Sequence, residues 1–210
     1  MTTSAATLTD LPALTQEQVA VLFEAAHTTN TFTDEPVDVA LVQKVYEDLR
    51  WAPTAMNIQP LRLTVVDSAE ARERLVAHMA PGNQDKTAAA PLALVAAYDP
   101  RWHEHMPHLA PHREGAREQF EGKAEVREGM ARTNALIQTG YLMLALRAHG
   151  LQVGPMGGLD TSGVDAEFHA ENGWKTLLVI NVGHAPNPED EDAQRPRAGR
   201  LEFEQAAQVL

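Results

Sequence analysis

The densest group of ligand-type side chains in the sequence is a cluster of histidines bordered by arginines. Its members are His103, His105, His108, His112, Arg101 and Arg113. Imidazole is a common metal ligand, so a metal site is the first interpretation to test. The spacing is not the His-Glu-x-x-His of helical zinc sites, and Pro107 interrupts any regular helix that would place His103 and His108 on one face. The pattern therefore favours a solvated or substrate-lining loop over a metal centre.

A second candidate is the segment Trp51–Pro60, which lies directly before a predicted strand. Pro53 and Pro60 alone would explain a helix end followed by a turn, because each proline restricts the residue before it. The functional alternative is a binding loop whose hydroxyl and amide groups meet a polar ring system. The small residues Ala52 and Ala55 would then let backbone groups approach that ring closely.

Three shorter features are ambiguous in the same way. Asn83–Lys86 follows Pro81-Gly82 and is typical of an ordinary helix start with a surface lysine. Gly154–Gly158 is typical of a flexible turn, although its paired glycines also suit close backbone approach to a flat ligand. Asn134 is the polar member of an apolar helical stripe, so it is either a satisfied core amide or a ligand contact.

Several well-defined binding motifs are missing from the sequence. There is no Gly-x-Gly-x-x-Gly after a strand, no Gly-x-x-x-x-Gly-Lys-Ser/Thr and no Gly-x-Ser-x-Gly. The sequence therefore gives no support to Rossmann-type dinucleotide binding, P-loop hydrolysis or α/β-hydrolase chemistry.

Periodicity and turn residues predict an α+β fold in which helices cover a small sheet. The predicted helices are one that opens at Thr15, then Asp38–Leu49, a short one after Ser68, Ala124–His149 and Glu202–Leu210. The predicted strands are Leu61–Val66, Leu92–Tyr98 and Leu177–Val182. The predicted apolar faces are Val19, Leu22, Phe23 and Ala26, then Val42, Val45, Tyr46 and Leu49, and in the long helix Met130, Asn134, Ile137, Tyr141, Leu144 and Ala148. Gly150 is the expected stop of the long helix.

Composition and charge limit the function. The chain has 210 residues, of which 44% are hydrophobic and 22% charged, an ordinary globular composition. The formal net charge of −12 argues against nucleic-acid binding and against a polybasic membrane-surface protein. The absence of cysteine excludes disulfides, cysteine-based zinc sites and thiolate nucleophiles, and it fits a reducing cytoplasm, which is the predicted location.

The chain is expected to be organised as one domain with a short leader. Residues 1–15 have no Lys or Arg and no long apolar core, which predicts a disordered leader rather than a signal peptide. Residues 16–210 are then a single domain. No apolar run reaches the roughly 20 residues that a bilayer span needs. Near the C-terminus, the acidic stretch 187–192 precedes a basic patch formed by Arg195, Arg197 and Arg200.

Taken in order, five of these segments resemble the nitroreductase family of flavin enzymes, and the similarity extends over about residues 17–210. Pro53–Pro60 resembles the family's Pro-Ser-x-x-Asn-x-Gln-Pro loop, and Ala148–Leu159 resembles its Gly-Leu-x-x-x-Pro-x-x-Gly-Phe stretch. Asn83-x-x-Lys86 leads into a small-residue helix and an apolar strand, as in the family. A narrower similarity, to the branch that includes malonic semialdehyde reductase, rests on Pro81–Pro91, Tyr98-Asp99, His103–Pro107 and Gly154–Gly158.

The resemblance implies a nitroreductase-like fold, an intertwined homodimer and FMN bound at two subunit interfaces, with NADH or NADPH as hydride donor. It also implies that four residues of one loop contact the flavin of the partner subunit, namely Pro53, Thr54, Ala55 and Asn57. Asn83 and Asn134 would hydrogen bond to the cofactor. Lys86 would lie near the pyrimidine edge of the ring, where its charge would stabilise the reduced, anionic flavin. The residues implied along the ring, with a backbone N–H near N5, are Pro155, Met156, Gly157 and Gly158.

One departure from the family concerns the phosphate. Family members usually carry an arginine-rich grip near an Arg-x-Ser motif, whereas this chain has His27-Thr28-Thr29-Asn30 there. The resemblance therefore assigns phosphate binding to Thr28 and Asn30, together with Arg197 and Arg200.

The sequence thus predicts an FMN-dependent oxidoreductase that reduces a small organic acceptor, and the narrow resemblance suggests reduction of malonic semialdehyde to 3-hydroxypropionate. The candidate holders of the substrate are His103, His105, His108 and Arg113. No side chain is assigned as a catalytic acid or base, and no metal is expected. The alternatives are a general nitro, quinone or enal reductase and a non-catalytic flavin-binding protein. The expected partners are a second copy of the chain and a small-molecule substrate.

Overall fold

Four strands form an antiparallel sheet in the order β1-β2-β4-β3 in the computed structural model, which describes residues 12–185 and 197–210. The strands are β1 Leu61–Val66, β2 Leu92–Tyr98, β3 Gln152–Met156 and β4 Lys175–Gly183. β2 is buried over its full length, as expected for a continuous apolar run at the centre of a sheet. The edges of the sheet are therefore β1 and β3.

β3 is the strand that the sequence did not predict, because its glycine and proline are typical of a turn. Pro155 pairs with Ile180 of β4, and a proline is tolerated there because an edge strand has one side without a strand partner. Gly154 packs closely against the backbone of Thr29, because a Cβ at position 154 would be 2.4 Å from the Thr29 carbonyl oxygen. The Thr29 N–H donates to the carbonyl of Val153 at 3.0 Å, so residues 28–30 run alongside β3.

Nine helices accompany the sheet in the described residues. They are α1 Gln16–Leu22, α2 Val39–Leu49, α3 Ala69–Ala77, α4 Pro81–Ala88, α5 Met106–Leu109, α6 Ala116–Glu121, α7 Ala124–Ala148, α8 Thr161–Phe168 and α9 Phe203–Ala206. The predicted helices at 38–49, after Ser68 and at 124–149 are confirmed within a residue or two, and Gly150 follows the last of them with φ +81°. α5, α6 and α8 were not predicted, and α9 is shorter than the predicted 202–210 helix.

The first helix begins as predicted but ends early. Thr15 and Gln18 form the predicted capping box, with the Gln18 N–H donating to Thr15 Oγ1 at 3.3 Å and the Thr15 N–H donating to Gln18 Oε1 at 2.9 Å. α1 then stops at Leu22, so Phe23 and Ala26 lie beyond it, and none of its residues is buried. The predicted apolar face at 19–26 is therefore wrong. The predicted leader falls largely on residues 1–11, which lie outside the described residues.

The buried face of α7 also differs from the prediction. Of the predicted stripe, only Asn134 is buried, while Ile137 and Tyr141 are exposed. The face that packs on the protein consists of Ala131, Asn134, Ala135, Gln138, Thr139, Leu142 and Leu146. Polar residues occupy this face because neighbouring groups satisfy their hydrogen bonds. In α2, by contrast, Val42, Val45 and Leu49 are buried as expected, and Tyr46 is exposed.

Helices cover both faces of the sheet. A large apolar cluster joins one face of β2 to residues of α2 and α7, including Val45 and Leu142. A smaller cluster joins the other face to α3 and α8 through Leu75 and Val164. The predicted α+β architecture with a helix-covered sheet is therefore confirmed. Within residues 12–185 and 197–210, no helix is both long and apolar enough to cross a membrane.

Candidate functional site

A cavity of about 880 Å³ collects most of the cations predicted to act in binding. We call it the cationic cavity, and its polar lining consists of Glu24, His27, Thr28, Asn30, Lys86, Arg147, Arg197 and Arg200. Four of these residues are lysine or arginine and one is a glutamate. In a chain of net charge −12, this local excess of positive charge is suited to an anion.

The cavity lies on the β3 side of the sheet. Lys86 is held there by its helix, because Asn181 of β4 donates from Nδ2 to the Lys86 carbonyl at 3.0 Å. One turn earlier in α4, Asn83 donates from Nδ2 to the carbonyl of Gly158 at 2.9 Å. The segment that follows β3 is thereby joined to α4. The structure therefore brings the predicted residues 83, 86 and 155–158 into one neighbourhood beside residues 28–30.

The C-terminal segment contributes the remaining cations. Arg197 donates to the carbonyl of Glu24, and its guanidinium also lies 2.7 Å from Nε2 of His27. Arg200 bonds to the carbonyls of Ala198 and Gly199 at 3.0 and 2.9 Å. Both arginines line the cavity together with Thr28 and Asn30, the residues to which the resemblance assigns phosphate binding. The predicted neighbour Arg195 lies outside the described residues.

Arg147 is a member of this site that the sequence reasoning missed. It extends from the last turn of α7, and one guanidinium nitrogen donates to the carbonyl of Leu22 at 3.1 Å. Its Nε is buried and has no hydrogen-bond partner among the described residues, and burial lowers the pKa of the guanidinium from its ordinary value. The hydroxyl of Thr29 is also buried without a partner among the described residues, but Thr29 does not line the cavity. An unpartnered guanidinium donor such as that of Arg147 favours a ligand that accepts hydrogen bonds.

The predicted loop at 53–57 lies at the opposite edge of the sheet, immediately before β1. We call residues 53–59 the strained loop, because Met56, Asn57 and Gln59 adopt φ values of 54°, 58° and 38°. Positive φ costs free energy for any residue with a Cβ. With neighbouring strands about 4.8 Å apart, the two edges of this four-stranded sheet are separated by about 14 Å. One chain therefore does not bring the strained loop to the cationic cavity.

Asn134 belongs with the strained loop rather than with the cavity. Its Oδ1 accepts from the Ala55 N–H at 2.7 Å, and its Nδ2 donates to the carbonyl of Met130 at 2.9 Å. Both polar atoms therefore have partners within the chain. This geometry agrees with the first of the two sequence interpretations, in which Asn134 is a core amide whose hydrogen bonds are satisfied within the protein.

The histidine-rich segment lies next to the strained loop and lines a second cavity of about 730 Å³. The Asn57 side chain donates from Nδ2 to the carbonyl of Leu109 at 2.8 Å and links the two segments. His105 and His108 line this cavity together with Arg62 and Arg101. Arg62 is paired there with the nearly buried carboxylate of Asp99 at 2.8 Å.

The other predicted substrate residues lie elsewhere. His103 is only 2% exposed and its Nε2 lies 3.0 Å from Glu121 Oε2, while Arg113 is exposed and does not line the cavity. Pro107 falls in the first turn of α5, where its missing N–H is tolerated, and His103 and His108 face different surroundings as predicted. Among residues 12–185 and 197–210, no three His, Asp or Glu side chains form a group that could hold a metal ion.

Comparison with known proteins gives the family. The sequence profile of the nitroreductase family matches residues 23–184, which is most of the chain. This protein belongs to the nitroreductase family. A relative from Streptomyces coelicolor, provisionally named NADH dehydrogenase/NAD(P)H nitroreductase, is 49% identical over 190 residues, which cover 90% of this chain and 94% of the relative.

Solved structures share the nitroreductase fold at low sequence identity. A provisionally named nitroreductase from Exiguobacterium sibiricum, solved in complex with FMN, has a TM-score of 0.79 at 19% identity and covers 94% of this chain and 99% of its own. An enone reductase of gut-bacterial fatty acid saturation metabolism has a TM-score of 0.76 at 18% identity, with 94% and 100% covered.

The family assignment confirms several predictions. The nitroreductase-like fold is confirmed, and so, at the level of the family, is an FMN-dependent oxidoreductase that uses NADH or NADPH. The narrower malonic semialdehyde branch is not confirmed, because the relatives carry nitroreductase names. The individual residue roles and the dimer stay predictions.

Proposed function

We propose that this nitroreductase binds FMN in the cationic cavity and uses NADH or NADPH to reduce a small organic acceptor. The observation that carries the proposal is the cavity itself. It combines four basic side chains, one of which, Arg147, has a buried Nε without a partner among the described residues. A phosphate monoester supplies both the negative charge and the acceptors that such a site lacks. The donor set therefore fits FMN.

The phosphate end would be held by residues from three parts of the chain. Thr28 and Asn30 offer hydroxyl and amide groups, and Arg197 and Arg200 offer guanidinium groups from the C-terminal segment. Arg147 adds a fifth side chain in this proposal, and it offers a guanidinium where this chain lacks the arginine that the family usually has near its N-terminus. Guanidinium pairs with phosphate through two parallel hydrogen bonds, which makes it the suitable replacement.

The ring end would lie along α4 and the segment after β3. A Cβ on Gly158 would be 2.8 Å from Asn83 Nδ2, whereas a Cβ on Gly157 would meet nothing within 4 Å. Residues 155–158 therefore pack closely on α4 at one point and leave open space beside it. Lys86 would place its ammonium near the ring, where a cation stabilises added negative charge. When bound, FMN supplies the hydride-accepting and hydride-donating chemistry, and the protein supplies position and electrostatics.

A homodimer would bring the strained loop of one subunit to the cationic cavity of the other. Large apolar side chains on α1 and just after it, on α7 and on the C-terminal segment support such an interface, because they are exposed in the single chain. They are Val21, Phe23, Leu136, Ile137, Tyr141, Leu201, Phe203 and Val209. An interface of this kind should bury about 2,000 Å² or more in total. Sedimentation is expected to find a dimer, and a monomer that binds FMN stoichiometrically would contradict it.

For the acceptor, we propose a small semialdehyde acid such as malonic semialdehyde, which would be reduced to 3-hydroxypropionate in the cytoplasm. The supporting observation is the second cavity, where His105, His108, Arg62 and Arg101 could hold a carboxylate beside the strained loop. Neutral nitroaromatics, quinones and enals are the competing acceptors, and the enone reductase fold neighbour is consistent with them.

Single alanine substitutions at 101, 105 and 108 separate these acceptors. Loss of a carboxylate holder raises the KM for the semialdehyde acid and leaves the KM for a neutral quinone unchanged. Arg113→Ala serves as the matched control, because Arg113 is exposed and outside the cavity. If no substitution changes either KM, the second cavity does not bind the acceptor.

The proposed enzyme activity has a direct test. The purified protein is expected to be yellow, and NADH or NADPH should bleach that colour without oxygen. A yellow protein that neither nucleotide bleaches would support the alternative of a non-catalytic flavin-binding protein. A colourless protein that takes up no added FMN would contradict both.

A further inference from the structure

Two buried amide side chains on α7 hold both ends of the segment that contains the strained loop. Asn134 Oδ1 accepts from the N–H of Ala55 at 2.7 Å, and Gln138 Oε1 accepts from the N–H of Leu61 at 3.0 Å. The two amides are four residues apart, so they lie on the same face of the helix, one turn from each other. They are only 5% and 3% exposed.

The backbone between these two contacts is unusual. Met56, Asn57 and Gln59, which are the non-glycine residues with positive φ in the part of the chain that the structure describes, all lie between Ala55 and Leu61. A conformation of this kind persists only where the surroundings impose it. Within the loop, the Gln59 N–H bonds to Thr54 Oγ1 at 3.2 Å, and this contact is local. Side chains also tie the loop to α5 and β1, through the Asn57 bond to Leu109 and a bond from Arg62 Nη1 to the Gln59 carbonyl at 3.0 Å. The two α7 amides are the contacts that hold backbone N–H groups on either side of the positive-φ residues.

The identity of the α7 residues fits this role. An amide at a buried position costs free energy unless it is hydrogen bonded, and an apolar residue would pack there at no such cost. Asn134 and Gln138 lie on a face that otherwise carries Ala131, Ala135 and Leu142. Each amide accepts a hydrogen bond from a backbone N–H that has no partner within a helix or in the neighbouring strand. These N–H groups belong to Ala55 and to Leu61, the first residue of β1.

We propose that Asn134 and Gln138 are positioning residues that clamp the strained loop in the conformation needed to meet the flavin of the partner subunit. This inference rests on the proposed function for its purpose, whereas the clamp itself can be measured without FMN. It also gives Asn134 a role through the loop in place of the direct cofactor hydrogen bond predicted from the sequence.

The first test uses the protein without FMN and measures amide hydrogen exchange at Ala55 and Leu61. Asn134→Leu removes the first acceptor and keeps the branched shape of the side chain, and Gln138→Met removes the second and keeps the side chain unbranched. Each variant should speed exchange at its own partner amide by about ten-fold or more. Thr139→Val is the matched control, because Thr139 is buried on α7 but bonds only to Ala135 of its own helix at 2.7 Å. Exchange that stays at the wild-type rate in the Leu and Met variants would overturn the clamp.

The second test uses the FMN-loaded protein and separates a clamp from a direct cofactor ligand. The clamp predicts that Asn134→Leu and Gln138→Met weaken FMN binding by a similar factor, larger than in Thr139→Val, at equal thermal stability. Asn134→Asp keeps an acceptor for Ala55 but loses the donor to the Met130 carbonyl, so it should restore part of the affinity. An effect confined to residue 134, with no rescue by Asp, would overturn the clamp in favour of a direct contact.

The two tests fail separately. A protein that never binds FMN but shows the faster exchange would contradict the proposed function and leave the clamp in place as a loop-ordering device. Normal exchange in a protein that binds FMN would contradict the clamp alone.

Discussion

The cationic cavity and the strained loop are built in opposite ways. The cavity combines side chains from α4, α7, residues 28 and 30 and the C-terminal segment, and its lining residue Arg147 has a buried Nε without a partner among the described residues. The strained loop is a continuous segment whose backbone is held by α7, with Asn134 and Gln138 at its two ends. The cationic cavity is suited to binding a charged ligand, whereas the backbone conformation of the strained loop is fixed by contacts within the chain.

The difference indicates how a binding site can be divided between two edges of one sheet. The basic side chains that line the cavity gain an opposite charge when an anion binds, so ligand binding stabilises that region. The loop does not depend on the phosphate in this way, because the N–H groups of residues 55, 57, 58 and 59 already have partners within the chain. A loop that is already ordered loses little conformational entropy when a ligand meets it. Substitutions in each region test this contrast.

The packing of residues 28–30 on β3 should be the most sensitive feature. Gly154→Ala places a Cβ where the Thr29 carbonyl oxygen would be 2.4 Å away, and backbone cannot move aside cheaply. We expect it to lower the free energy of unfolding by about 3 kcal/mol. Gly157→Ala is the matched control, because its Cβ would meet nothing within 4 Å. Urea denaturation measures both, and equal stability of the two variants would contradict the packing.

The charge of Lys86 should act on the redox property of the bound cofactor. Lys86→Ala is expected to lower the flavin midpoint potential, because a nearby cation stabilises the reduced, anionic form. A charge-assisted hydrogen bond contributes about 1–3 kcal/mol, which is about 20–60 mV for a two-electron couple. Potentiometry measures the shift, and Lys86→Arg should preserve most of the potential. An unchanged midpoint in Lys86→Ala would place the ammonium away from the ring.

The C-terminal arginines should act on the phosphate alone. Removing Arg197 and Arg200 together is expected to weaken FMN binding ten-fold or more, at about 1.4 kcal/mol per decade. Riboflavin, which has no phosphate, should lose little affinity. The charge-matched control is removal of the exposed Arg117 and Arg132, which lie outside the cavity. Titration of the apoprotein by fluorescence gives each affinity, and equal weakening for FMN and riboflavin would contradict the assignment.

The smallest expected effect is a loss of stability at low pH, and it involves His169 on the β1 side of the sheet. Burial lowers the pKa of His169, whose Nε2 lies 2.9 Å from Thr64 Oγ1 of β1, although nearby Asp165 opposes the shift. The folded state therefore favours the neutral ring, so the free energy of unfolding should fall as pH drops below about 6.5, where the unfolded chain binds the proton.

The matched pair for this pH effect is His169→Gln and His112→Gln, since His112 is exposed. Urea denaturation across this pH range should show a flatter slope in the first variant and the wild-type slope in the second. An unchanged slope in His169→Gln would show that His169 does not titrate differently in the two states.

The sheet could be predicted from sequence where the pattern is strong. Leu61–Val66 and Leu92–Tyr98 are apolar runs between turn residues, and both form the predicted strands. β3 could not be predicted, because Gly154 and Pro155 are typical of turns and only the edge position and the close approach of Thr29 make a strand of them. Tertiary context decides such cases.

Prediction of the site residues from the sequence was limited in the same way. The cations Lys86, Arg197 and Arg200 were predicted through family motifs, and the structure places them together. Arg147 was missed because the helix dipole alone favours a basic residue in the last turn of a helix, so an arginine there does not by itself indicate a binding role. The buried face of α7 was assigned wrongly because apolar spacing alone cannot show that Asn134 and Gln138 have backbone partners 77 or more residues away.

The central claim is that one site forms from the cationic cavity of one subunit and the strained loop of the other. It is tested most directly with a purified heterodimer in which one subunit carries Arg197→Ala and Arg200→Ala and the other carries Ala55→Trp, a bulky block on the exposed loop. FMN is titrated at a concentration between the wild-type and variant Kd values. Since one of the two shared sites then has both defects and the other has none, the account predicts about one FMN per heterodimer and almost none in either variant homodimer. A heterodimer that binds no more FMN than the two homodimers would contradict it.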